Sequence, residues 1–186
     1  MPHKKLKIVA ISILLFLVAL EISVVLANDL FFEKAAAKET KKRLMPASAA
    51  NAVKHAYAAS LLYSTFRNIY FSENSARNIT IFFGKINEVA EMIFKPHPDS
   101  SLEMMKDLNN NVVGICAAKW IEENRQNPLA QDRIGFIGFL AEQNKLILSR
   151  EDVPLSEEEK NKSRKISSYS VAKKWFNENE EKIICD

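Results

Sequence analysis

The residues of this chain best suited to chemistry are a few polar side chains set into apolar, helix-forming stretches. His55 lies in Asn51-Ala-Val-Lys-His55-Ala-Tyr57, where Asn51 and His55 are four apart and project from one helix face. Glu88 and Glu91 follow on the next helical stretch, with Glu88 opposite the stripe of Phe82, Phe83 and Ile86. Asp107, Asn110, Asn111 and Gly114 share one side of a third helix. Asn109, Asn110 and Asn111 are consecutive there, although Asn prefers caps and turns to helix interiors, so something beyond local preference must compensate. The functional reading is a polar pocket between helices. In it His55 is a base or ligand, Glu88 and Asp107 supply carboxylates, and Asn51, Tyr57, Glu91, Asn110 and Asn111 supply binding groups. The structural reading is a buried hydrogen-bond network that fixes helix register, or a solvated face.

Other chemistries lack their signatures. There is no Cys-x-x-Cys and no Cys/His cluster, so a structural zinc site is not expected, nor any other metal or cofactor. No nucleophile-elbow, P-loop, zincin or dinucleotide fingerprint is present. His97, between Pro96 and Pro98, reads as a loop residue. Cys116 and Cys185 are the two cysteines. They either form one disulfide outside the cytosol, or Cys116 is a buried thiol on an apolar stripe.

The elements that must position these groups are helical. Gly (4) and Pro (6) are scarce and hydrophobic residues reach 47%, so the chain can bury a core and favours helices over a turn-rich β fold. Residues 29–44 read as a polar helix, a spacer over 28–45, before the domain at 46–186. Residues 47–71 are Ala-rich and apolar on more than one side, as in a helix central to its domain. Ile79, Phe82, Phe83, Ile86, Val89, Ala90 and Ile93 recur at helical spacing and are taken as the core face of the next helix. Ser100 with Glu103 predicts a capping box for a helix reaching about Asn124, and Ser156 with Glu159 predicts another. Residues 134–149 read as a helix followed by an extended piece, the alternative being a hairpin turning at Glu142–Lys145. A last helix carries Val171, Trp175 and Phe176. The fold class is therefore all-α, a compact multi-helix domain, with at most one short extended or hairpin segment near 134–149.

The N-terminus carries a targeting pattern. Lys4, Lys5 and Lys7 precede the apolar run Ile8–Leu20, Glu21 interrupts it, and Val25 and Ala27 are the small residues before polar Asn28. Residues 1–27 read as a secretory signal cut after Ala27. The rival is an uncleaved anchor through residues 8–27. Either reading puts the domain outside the cytoplasm: periplasmic, secreted, or held at the inner membrane with the domain outside. Beyond Ala27 basic and acidic residues nearly balance, so no field suited to nucleic acid remains.

The order Asn51-Ala52-x-x-His55-Ala56-Tyr57, then Glu88, then Asp107-Leu108-x-Asn110-Asn111-x-x-Gly114 resembles a bacterial helical domain family of uncharacterised function. Its members read D-A-x-R-H-A-Y-W, A-H-E and M-D-L-H/Y-N-N-x-x-G. The resemblance covers residues 47–148 and implies a shared fold and polar centre. This chain departs at Asn51, Lys54, Ala58, Asn87 and Asn109, so one His would stand among oxygen ligands, which suits zinc poorly. The expected function is an exported, envelope-associated helical protein acting through protein contacts, as an accessory of a secretion or conjugation apparatus. The alternative is a small hydrolase-like enzyme acting on an ester, phosphoester or amide through the His/Asp/Glu/Asn centre.

Overall fold

The computed structural model describes residues 31–94, 99–165 and 169–179. The targeting segment, its cut site, His97 and Cys185 lie outside the described residues. Among the described residues eight α-helices follow one another: α1 (Glu33–Lys42), α2 (Ala49–Asn68), α3 (Glu73–Phe94), α4 (Ser100–Glu123), α5 (Pro128–Gln131), α6 (Arg133–Glu142), α7 (Glu157–Lys165) and α8 (Tyr169–Asn179). A 3-10 turn, Arg150–Asp152, lies between α6 and α7. No strand occurs among the described residues, and none of their helices is long and apolar enough to cross a membrane.

Helix α4 is the axis of the domain, buried along most of its length. One apolar cluster, with Leu102, Met105, Leu108 and Ile115, receives Tyr63, Trp175 and Phe176. The other, with Val113, Ala117 and Ile121, receives Val53, Phe136 and Ile137. The closest partner of α4 is α2, whose Ala52, Ala56 and Ala59 keep the crossing thin. Gly114 makes that crossing possible: a Cβ there would meet the Ala56 carbonyl oxygen and lie 2.8 Å from its carbon. The expected central helix is therefore present, and α4 shares that position with it.

Helix α3 turns a different face inward from the one its apolar period suggests. Phe82 and Ile93 of that stripe are 58% and 66% exposed, while Ala76, Thr80, Ile81 and Glu88 are buried. Ala76, Thr80, Gly84 and Glu88 recur every fourth residue, and this small, polar ridge is the one that fits against α2 and α4. Close approach chose the face, not hydrophobicity.

Helix α1, expected as a spacer, is docked on α2 and α6 through Ala36, Glu39 and Thr40. Arg43 closes the joint: its Nε donates to Glu39 at 2.6 Å, its other nitrogens to Glu142 and to the Gly135 carbonyl. The box at Ser156 and Glu159 forms as expected. The one expected at Ser100 does not, because Asp99 holds the N-cap position and Glu103 turns to Asn51 and Lys106. Residues 143–149 leave α6 as a non-helical segment rather than a hairpin arm. Cys116 is disulfide-bonded.

Candidate functional site

Helices α2, α3 and α4 each deliver one residue to a single buried point. His55 comes from α2, Glu88 from the small-residue ridge of α3, and Asp107 from the first half of α4. His55 Nδ1 lies 3.7 Å from Glu88 Oε1, and His55 Nε2 lies 3.5 Å from Asp107 Oδ2. Both separations exceed hydrogen-bond range. His55 Nε2, Glu88 Oε1 and Asp107 Oδ2 are all buried without a hydrogen-bond partner on the protein. Leaving such groups unpaired is costly, so three orphaned atoms at one buried point call for a partner that the protein does not supply.

The surroundings hold the carboxylates in place. Asn51 Nδ2 donates to Asp107 Oδ1 at 3.4 Å and to Glu103 Oε1 at 3.3 Å. Lys106 Nζ, also buried, bonds Glu103 and lies 3.5 Å from Asp107 Oδ1. Oδ1 is thereby committed, and Oδ2 is left facing His55. Burial pushes the His55 imidazole down to about 3, assisted by the Lys54 ammonium, so the ring is neutral. Burial also lifts the Asp107 carboxyl to about 7 against the pull of Lys106, and raises Glu88 well above its ordinary value with Asp107 and Glu91 adding to the effect. Burial lowers the Lys106 ammonium most, but Asp107 and Glu103 together outweigh it and leave it raised.

A cleft of about 590 Å3 opens beside this centre. Asn51, Glu88, Glu91, Glu103 and Lys106 line it together with Ser149, Arg150 and Glu151 of the 3-10 turn. Glu88 belongs to both cleft and centre and so connects them.

Of the residues expected to act together, His55, Glu88, Asp107, Asn51 and Glu91 are brought to the centre or its cleft; Asn87 Nδ2 donates to Glu91 Oε1 at 3.3 Å. The others go elsewhere. Asn110 spends its amide on Ile147, donating to the carbonyl at 2.9 Å and accepting from the N–H at 2.9 Å. It thereby gives the segment after α6 the pairing a strand would have supplied. Asn111 packs against Gly84. Tyr57 meets Phe32 edge-on, with centroids 5.5 Å apart, and packs against the second core cluster. Lys106, Glu103 and the 3-10 turn were not anticipated. Glu103 and Asp107 are four apart and face Asn51, a spacing that was readable; the turn's approach was not.

The chain matches no protein-family model, no curated protein and no solved structure.

Proposed function

We propose that the domain is a small hydrolase-like enzyme whose cleft admits an ester, phosphoester or amide to the His55–Glu88–Asp107 centre. One observation carries this reading: the centre adjoins an open cleft through Glu88 and is not sealed within a bonded network. Perturbed, mutually coupled acids and a neutral imidazole beside a cleft are the equipment for activating water. Glu88 belongs to both the cleft and the centre and so joins a substrate in the cleft to His55 and Asp107, while Asn51 and Lys106 hold Asp107 in register. The likeness to the helical family over residues 47–148 belongs to the same proposal.

The test is turnover by the purified full-length chain on nitrophenyl ester, bis-nitrophenyl phosphate and nitroanilide substrates. Turnover of one class is expected, falling about 100-fold or more in Asp107→Asn. No turnover of any class by folded protein overturns the reading.

A second reading is an exported protein working through envelope partners. It rests on Ile69, Tyr70 and Phe82, which are 55%, 99% and 58% exposed, near the α2–α3 turn. The disulfide at Cys116 favours an oxidising compartment for either reading.

A further inference from the structure

We infer that His55, Glu88 and Asp107 form a binding site for one divalent first-row cation, of the Mn²⁺ type, beside the cleft that Glu88 lines. The inference deepens the hydrolytic reading and rests on it, since it names what activates the water there. One ligand atom of each residue lies within 4.8 Å of those of the other two. Ligands held about 2.1 Å from one ion lie roughly 3–4 Å apart, so the 3.5 Å between His55 Nε2 and Asp107 Oδ2 already suits neighbouring positions on one ion. Glu88 Oε1 lies 3.7 Å from the other ring nitrogen, Nδ1, and must shift to join an ion held by Nε2.

Three independent features point to a cation. The first is the orphaned atoms: His55 Nε2, Glu88 Oε1 and Asp107 Oδ2 are buried close to one another, and none has a hydrogen-bond partner on the protein. An apolar or hydrogen-bonded core would not leave them so.

The second is charge. Fully ionised, as a bound cation would hold them, Glu88, Glu91, Glu103, Glu151 and Asp107 place five negative charges at the centre and its cleft against the three positive charges of Lys54, Lys106 and Arg150. A dication offsets the difference. Lys106 Nζ is paired with Glu103 and lies 3.5 Å from Asp107 Oδ1, the oxygen not offered to the ion.

The third is the support around the ligands. Asn51 and Lys106 take Asp107 Oδ1 and leave Oδ2 free, the outer-shell arrangement that orients a ligating carboxylate. The donor set, one imidazole nitrogen and two carboxylate oxygens, is oxygen-rich and leaves further positions for water or substrate from the cleft. It suits a six-coordinate Mn²⁺ better than a closed, sulfur-rich zinc site.

The experiment uses the full-length chain stripped with EDTA and titrated with MnCl₂ by calorimetry and by loss of the free-ion electron paramagnetic signal. Saturable binding of one Mn²⁺ per chain is expected, with a rise in Tm and electron spin-echo modulation from one imidazole nitrogen. Glu88→Gln and Asp107→Asn, checked for helix content by circular dichroism, should weaken binding about 100-fold, and Asn51→Ala, a positioning residue, about 10-fold. Folded wild-type protein that shows no saturable binding, or binding without nitrogen modulation, overturns the inference whatever the variants do. Hydrolysis that persists in EDTA with no metal bound overturns the cation and leaves the hydrolytic reading standing. Saturable Mn²⁺ binding without turnover does the reverse.

Discussion

Replacing Gly114 by Ala should destabilise the domain, although the same change in an ordinary helix interior stabilises by about 1 kcal/mol through helix propensity. The sign turns on the α2–α4 crossing. The added Cβ would lie 2.8 Å from both the carbonyl carbon and the Cα of Ala56, and nearer still to its oxygen. These are backbone atoms of a central helix and cannot rotate away, so the two helices must part along a crossing that also carries Ala52 and Ala59. Overpacking of this kind costs about 1–3 kcal/mol, and a rigid neighbour argues for the upper end. The net loss is then about 2 kcal/mol, or about 4–8 °C in Tm for a domain of this size. Gly84→Ala is the control, because its Cβ would meet the amide end of Asn111 at 2.6 Å, a side chain that can swing aside. That variant should stay within about 1 kcal/mol of wild type. Thermal and urea unfolding followed at 222 nm measure both. A Gly114→Ala protein that melts at or above the wild-type temperature would refute the close approach and the packing built on it.

Asn110→Ala strands the N–H and carbonyl of Ile147, costing about 2–3 kcal/mol, and hydrogen exchange should quicken at Ile147 before the rest of the domain. Arg43→Ala leaves buried Glu39 with only the exposed Lys42, 3.7 Å away, and should cost about 1–2 kcal/mol, with trypsin cutting at Lys41 and Lys42 far sooner; unchanged proteolysis would show that α1 is held by other means. Tyr63 is 1% exposed, and desolvation, then Glu73 and Glu122, push its phenol up to about 12. Its folded value lies above its unfolded value of about 10, so the unfolded chain loses its proton first and stability falls as pH rises past 10 toward 12. The Tyr63→Phe protein should lack that decline, and absorbance at 295 nm would follow the ionisation. If export proceeds by cleavage, N-terminal sequencing of the envelope-fraction protein should begin at Asn28, whereas a full-length membrane-bound product would establish the anchor instead.

Local composition determined the helices. Scarce Gly and Pro, the Ser156/Glu159 box and the Trp175/Phe176 face each act over a few residues, and α7 and α8 form where those signals lie. The polar centre was legible in part, because a His, a Glu and an Asp embedded in apolar helices demand a partner wherever the fold puts them. Which groups met was decided only by packing. Asn110 and Asp107 sit one turn apart on one side of α4, yet one reaches Ile147 and the other His55, since the neighbours change along that side. Gly114 stood in the same motif as the polar residues, and its use proved to be clearance for Ala56. Helix α3 shows the limit most clearly. Periodicity measures hydrophobicity along one chain, whereas the buried face is the one whose shape fits a neighbour, and the ridge Ala76–Thr80–Gly84–Glu88 fits where Phe82 does not. By that fit, close packing against α2 and α4 carried Glu88 into the interior and brought three separate polar residues together.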